Sequence, residues 1–189
     1  GIINTNNGNA TINDSNMKEV AAVSSPTLQA NKVTYMADGA VYKTVYRFAG
    51  SEVTLIDEPA DTAALDYGTW TTDDVTVTND TFTMPEEDVV INVTSTRKSY
   101  TVTYRYSGPV PDGTPAAPAA TTHVNGTKVD VEKAPTVQGY NFEGWTTVST
   151  EVDGDKFTMP AHDVEFIGYF TAGDVTFTEG IIDYGETPA

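Results

Sequence analysis

The chain has 189 residues and no cysteine, which excludes a disulfide framework and thiolate chemistry. Its net charge of −17, from 27 acidic and 10 basic residues, argues against nucleic acid and against an anionic membrane surface as partners. Hydrophobic residues make up 39% and aromatic residues 10%, enough for packed cores, and no apolar run is long enough to cross a bilayer.

The N-terminal segment, 1–30, is rich in Asn, Ser and Thr, and Ser24-Ser25-Pro26 predicts a break before the first regular element. We expect this segment to dock as a single strand on a neighbouring element.

Residues 31–98 are predicted to form a first module. Val33-Thr34-Tyr35 opens a strand, and Asp38-Gly39 predicts a tight turn into a return strand. The alternation along that return strand puts four residues on one apolar, aromatic face: Tyr42, Thr44, Tyr46 and Phe48.

The rest of the first module is predicted to contain two more strands, at 53–56 and 89–94, separated by an irregular segment. Within that segment, residues 61–65 could form one helical turn with Asp61 as its cap. The fold class is therefore predicted to be mainly β, at most a β-rich α+β fold, because Thr and Val dominate the strands.

Residues 99–172 are predicted to form a second module, opened by a strand from Tyr100 to Tyr106. Four prolines make residues 108–120 a loop or an extended edge segment. Asn125-Gly126 predicts a hairpin turn whose return strand is 128–132. Residues 173–189 are expected to lead into a further domain, and export and anchoring signals are expected outside this sequence.

One motif occurs in both modules. Phe82-Thr83-Met84-Pro85 returns as Phe157-Thr158-Met159-Pro160, and Trp70 and Trp145 precede the Met of their own copy at the same distance along the chain. This spacing predicts an internal repeat with two equivalent, buried tryptophans, each touching its own module's Met.

The motif is best explained by structure. Phe and Met at alternate positions point to one side of an extended segment, Pro160 ends strand pairing, and Asp163 can bond turn amides. An aromatic platform for a ligand is the alternative interpretation.

The second copy, with Gly139-Tyr140-Asn141-Phe142-Glu143-Gly144-Trp145 before it and Asp163-Val164 after it, resembles bacterial cell-surface repeats. The internalin-type B-repeat and the SHIRT (streptococcal high-identity repeats in tandem) modules are the families it is similar to. The first module departs from the pattern, because Leu65 to Trp70 replaces the Gly-Tyr-x-Phe-x-Gly-Trp run.

The resemblance covers residues 31–172 and implies small, β-grasp-like modules in tandem on a bacterial surface, anchored to the cell wall. Such modules act mainly as stalks for an adhesin, and some bind a host protein or glycan. The resemblance brings no catalytic residue and no cofactor, and the neighbouring repeats of a monomeric chain are the expected partners.

No constellation of residues predicts an enzyme or a metal site, so the catalytic and metal sets are predicted to be empty. His123 and His162 are interpreted as turn residues, and four acidic clusters as solvated turns: Asp57-Glu58-Asp61, Asp73-Asp74, Glu86-Glu87-Asp88 and Glu151-Asp153-Asp155. Calcium at Asp153 and Asp155, and a buried Lys crosslink at Lys32 or Lys98, stay open alternatives.

The join between the modules, Ser95 to Ser99, contains neither Gly nor Pro. So short a join predicts modules that follow one another end to end in an elongated chain. It also predicts that the opening and closing strands of a module lie side by side and parallel.

Overall fold

The computed structural model describes residues 28–174, and this part of the chain contains fourteen β-strands and no helix. The mainly β class is confirmed. The N-terminal and C-terminal segments predicted at 1–30 and 173–189 lie almost entirely outside the described residues. The strands are β1 (Ala30–Ala37), β2 (Ala40–Phe48), β3 (Glu52–Thr54), β4 (Leu65–Tyr67), β5 (Thr81–Thr83), β6 (Val89–Val93), β7 (Ser95–Arg97), β8 (Ser99–Tyr106), β9 (Thr121–Val124), β10 (Lys128–Asp130), β11 (Tyr140–Phe142), β12 (Lys156–Thr158), β13 (Val164–Gly168) and β14 (Phe170–Ala172).

The first compact unit is made of residues 28–58 and 69–94. Its main sheet has the order β2-β1-β6, in which β1 is antiparallel to β2 and parallel to β6. β3 and β5 form a second, two-stranded antiparallel sheet. Because β1 and β6 run in the same direction, the chain enters and leaves this strand pair at opposite ends.

The second compact unit is made of residues 59–68 and 95–174. Its main sheet has the order β13-β8-β9, with β8 parallel to β13 and antiparallel to β9. Three antiparallel pairs complete it: β10–β12, β11–β14 and β4–β7. The predicted parallel pairing of opening and closing strands is therefore confirmed in both units.

The sequence repeat is also a structural repeat, because the same strands pair at matched residues in both units. The matched pairs, with the first unit's pair named before the second's, are Val33–Val89 and Val102–Val164, Tyr35–Ile91 and Tyr104–Phe166, and Val53–Phe82 and Val129–Phe157.

The compact units are offset from the sequence repeats. β4 and β7 come from the first sequence repeat but belong to the second unit, and their counterparts in the second sequence repeat are β11 and β14. The module bounds of 31–98 and 99–172 follow the sequence repeat and stay a prediction.

Both copies of the repeated motif are core, as predicted from the side that Phe and Met share. Phe82 and Met84 are buried in the first unit, and Phe157 and Met159 in the second. β5 and β12 end just before the Met in each copy, so strand pairing stops where the Met-Pro pair begins.

Two predicted local elements are wrong. Residues 61–65 form no helical turn: the Asp61 carboxylate instead accepts the backbone N–H of Tyr67 at 2.7 Å, a loop bond that competes with helix formation. The strand after Asn125-Gly126 does not pair with β9, as a hairpin would require. β10 pairs with β12 instead, because Val129 lies opposite Phe157 in the core.

The predicted aromatic face of β2 is correct except at Tyr42. The register between β1 and β2 shifts between Tyr35 and Met36, which leaves Tyr42 as the extra residue of a bulge. Its ring lies 6.1 Å from the ring of Trp70, whereas Tyr46 and Phe48 keep the predicted alternation on the sheet's outer side.

Candidate functional site

The two repeated tryptophans occupy equivalent positions. Each indole N–H donates to a backbone carbonyl, Trp70 to Ile56 at 2.6 Å and Trp145 to Lys133 at 3.2 Å. Each ring also meets the opening strand's tyrosine edge-on, with ring centres 5.0 Å and 5.1 Å apart. The equivalence predicted from the spacing therefore agrees with these contacts.

The burial of the two tryptophans is not equal. Trp70 is buried, whereas Trp145 is partly buried and packs against the core cluster that contains Phe157 and Met159. The prediction of two buried rings is wrong for Trp145, because its ring lies among partly exposed aromatic residues.

Those residues form an aromatic cluster around Trp145: Tyr106, Phe142 and Phe170. Gly168 makes room for it, because a Cβ atom there would lie 2.1 Å from Phe142 Cζ and 2.9 Å from Trp145 Cε3. Sequence reasoning missed Gly168. Comparison of the two repeats would have drawn attention to it, because the equivalent position of the first repeat holds the larger Val93. The four rings contact one another, and all four residues are only partly exposed.

The aspartate that follows each Met-Pro pair has a structural role. Asp88 Oδ1 accepts the backbone N–H of Lys32 at 2.8 Å, and Asp163 Oδ1 accepts that of Thr101 at 2.9 Å. Each carboxylate therefore binds the start of the opening strand that is parallel to its own closing strand. The prediction that Asp163 bonds a local turn amide is wrong, because its carboxylate accepts the N–H of a residue on the neighbouring strand that is distant in sequence.

Two of the other acidic clusters also supply side-chain carboxylates that accept hydrogen bonds from backbone N–H groups. Glu58 accepts the N–H of Trp70 at 3.1 Å, and Asp74 accepts that of Val90 at 2.7 Å. Within residues 28–174, no group of three or more His, Cys, Asp and Glu side chains could hold a metal ion. Near the calcium alternative, the ammonium of Lys156 pairs with Asp130 and is close enough to Asp155 for that carboxylate to help raise the pKa of Lys156. A cationic side chain therefore lies near one of the two carboxylates that calcium would need, that of Asp155.

The two histidines do not meet. His123 lies within β9, so its prediction as a turn residue is wrong, and its Nε2 is 2.9 Å from Thr121 Oγ1. His162 lies in the bend before β13, as predicted, with Nδ1 2.9 Å from the carbonyl of Asp163.

Neither lysine proposed for a crosslink meets the burial that such a bond requires. Lys98 pairs with Asp66 at 3.3 Å, but the side chains are 30% and 54% exposed. Lys32 is exposed.

An apolar surface lies on the outer side of β2, and we call it the β2 surface. It consists of Val41, Tyr46 and Phe48, which are 65%, 62% and 51% exposed. Their partners on β1 alternate with the buried Val33 and Tyr35, which places these side chains on the opposite side of the sheet from the core.

The fold and its repetition define a class, a mainly β protein built from tandem modules. Residues 100–167 match the model of a family described as the Listeria-Bacteroides repeat domain. This match confirms the predicted resemblance to bacterial tandem-repeat modules in the second repeat, and the shared strand pairing relates the first repeat to it.

Among solved structures, the chain is similar to streptococcal high identity repeats in tandem (SHIRT) domains 3-4 from a cell surface protein. The two are 16% identical, the likeness covers 76% of this chain and 99% of the other, and the TM-score is 0.31. A search of curated proteins found no match. Residues 28–174 contain no helix that is long and apolar enough to cross a membrane.

Proposed function

We propose that these modules are spacer repeats of a bacterial cell-surface protein, which hold an adhesive domain away from the cell. The observation that carries this proposal is the repeated scaffold: two units with the same parallel strand pair, the same aspartate bond and the same tryptophan position. The family match of residues 100–167 supports it. The proposal places the chain outside the cell, anchored to the wall, and assigns it no reaction, cofactor or catalytic residue.

The strand pairing suits a module that carries load. Tension on the start of β1 and the end of β6 pulls two parallel strands past each other, so the hydrogen bonds between them resist together. Tension on the starts of both strands would open the same bonds one after another. Tension applied through the chain ends of a spacer would load the start of β1 and the end of β6, which is the more resistant geometry.

Single-molecule stretching can test this, because the chain has no cysteine and attachment points can be introduced at will. We expect a higher rupture force with Ala30→Cys and Thr94→Cys as handles than with Ala30→Cys and Glu87→Cys. All three positions are exposed, and the two variants load the same β1–β6 pair in different directions. Equal rupture forces would contradict a load-bearing role.

The elongated, end-to-end arrangement predicted from the short join belongs to the same proposal. Small-angle scattering should give a radius of gyration clearly above the roughly 16 Å of a compact globule of this length. A radius near that value would refute the spacer role.

A second candidate function is recognition of a host protein or glycan by the β2 surface. It is favoured by three exposed apolar side chains on one side of the sheet, because exposed apolar surface on a monomer often marks a binding site. We expect a binding partner found in a screen to be lost on Tyr46→Ser with Phe48→Ser. Val148→Ser, which removes an exposed valine of the second unit, is the matched control and should bind like the parent chain.

A further inference from the structure

The second unit shows how the β4–β7 pair is held. The side chain of Asn125 is buried, and its Nδ2 donates to the carbonyls of Ala64 and Lys98, both at 2.8 Å. The backbone N–H of Asn125 also donates to Lys98 at 2.9 Å, and the hydroxyl of Tyr100 donates to the carbonyl of Ala63. We call Asn125, Gly126 and Tyr100 the head of the second repeat, and the strand pair that it binds a tail.

The β11–β14 pair is a second tail with the same backbone pairing, although Arg97, whose Nη1 donates to the carbonyl of Asn125 at 3.4 Å, is replaced there by Ala172. The registers of β4–β7 and β11–β14 agree residue by residue at the offset of the sequence repeat. The closing bond is also the same: the N–H of Lys98 donates to Ala64 at 2.9 Å, and the N–H of Gly173 donates to Gly139 at 2.9 Å.

The acceptors used in the first tail are backbone carbonyls, so their counterparts exist in the second tail whatever the side chains are. The counterparts of Ala63 and Ala64 are Gln138 and Gly139. Among residues 28–174, no side chain donates to either of these two carbonyls. Beside this tail lies a cavity of about 220 Å³ lined in part by Val110 and Tyr140, which are 47% and 46% exposed.

We propose that the β11–β14 tail is a docking surface for the head of another module of the second-repeat type. The proposal rests on the tandem organisation in the proposed function and adds the residues that would join successive modules. The asparagine of the incoming Asn-Gly turn donates to the carbonyls of Gly139 and of the residue after Ala172. The incoming tyrosine donates to the carbonyl of Gln138.

The head of the first repeat does not fit this surface. In the first repeat, Ala49 and Gly50 make the backbone hydrogen bonds that Asn125 and Gly126 make in the second. Asn31 occupies the position in the first repeat that Tyr100 occupies in the second. A head of the first-repeat type therefore has no side-chain donor at Ala49, and the Nδ2 of Asn31 already donates to the carbonyl of Pro85 at 3.1 Å. This difference makes the tail selective between the two kinds of head.

A three-module chain tests the proposal: residues 1–172 are followed directly by a second copy of residues 98–189, so that Lys98 follows Ala172 as it follows the equivalent Arg97 in the parent chain. Hydrogen exchange measured by NMR should be at least tenfold slower for the amide after Ala172 and for the β14 amides than in the parent chain. Replacing the added copy's Asn125 by Ala should return these rates to those of the parent. A control chain carries Asn125→Ala together with Tyr100→Asn in the added copy, which gives it the side chains of the first repeat's head, and should also exchange like the parent.

Two results would overturn the proposal. The first is unchanged exchange in β14 while the β8 and β13 amides of the added copy are protected, which would show a folded module that does not dock. The second is faster β14 exchange when residues 175–189 are deleted from the parent chain, which would make that segment the occupant. Neither result depends on rupture force or radius of gyration, so the spacer role and the docking can fail separately.

Discussion

The two tyrosines of the opening strands form a matched pair within one chain. Tyr35 and Tyr104 lie at equivalent positions, are buried, and meet the tryptophan of their own unit edge-on. The Tyr104 hydroxyl accepts the backbone N–H of Glu132 at 3.0 Å. The Tyr35 hydroxyl is buried and has no hydrogen bond of normal geometry, and the nearby backbone of Ile56 opposes only part of the rise that burial causes in the pKa of Tyr35.

The same substitution should therefore have opposite effects in the two units. Tyr104→Phe removes a hydrogen bond and leaves the N–H of Glu132 without its partner. Glu132 is exposed and water can replace part of the bond, so we expect a loss of about 1 kcal/mol of unfolding free energy. Tyr35→Phe removes a hydroxyl whose dehydration the backbone of Ile56 compensates only in part, so we expect no loss and a gain of up to about 1 kcal/mol.

Urea denaturation followed by tryptophan fluorescence measures both effects, because each unit contains one tryptophan. In a Trp145→Phe background the signal reports the first unit, and in a Trp70→Phe background the second. The reasoning would be refuted if Tyr35→Phe cost about 1 kcal/mol or more, or if Tyr104→Phe left the second unit as stable as before.

Three further predictions concern stability. Gly168→Ala should cost about 1–3 kcal/mol, because the new methyl group collides with the Phe142 ring, and Phe142→Ala in the same chain should absorb most of that cost in a double-mutant cycle. Asp88→Ala and Asp163→Ala should each cost about 1–2 kcal/mol in their own unit only, and equal losses in both units on either change would contradict the assignment. Burial raises the pKa of the matched tyrosines, so stability should be complete below the unfolded-state pKa of about 10 and fall as pH rises towards the folded pKa; urea midpoints constant from pH 9 to pH 11.5 would argue against this.

The sequence predicts features that depend on periodicity or on local backbone geometry. Asp38-Gly39 forms the expected turn, with φ of 49° and 81°, because Asp and Gly tolerate the left-handed region that such turns need. Phe157 and Met159 are buried because alternate residues in an extended segment share a face. Neither inference requires knowledge of which strand lies next to which.

The sequence fails where a residue's partner is far away along the chain. Asp163 and Asn125 both carry local turn signals, yet Asp163 binds Thr101, and Asn125 binds Ala64. Short polar side chains bond a nearby or a distant backbone group equally well, and only the strand order decides between them. The constant spacing between the two copies contained part of the missing information, because a residue needed in both repeats for the same long-range bond recurs at the same register.

The offset between sequence repeat and compact unit changes what counts as one module. A fragment that began at Ser99 would follow the sequence repeat, but it would lack the β4–β7 tail, and the buried amide of Asn125 would lose the carbonyl of Ala64. An unpaired buried donor costs about 1–3 kcal/mol, and the hydroxyl of Tyr100 would lose its acceptor as well. Each second-type repeat therefore needs the preceding tail to supply the hydrogen-bond acceptors for the donors of its own head. In a chain of such repeats, stability would be shared between neighbours, as expected when each unit is completed by the one before it.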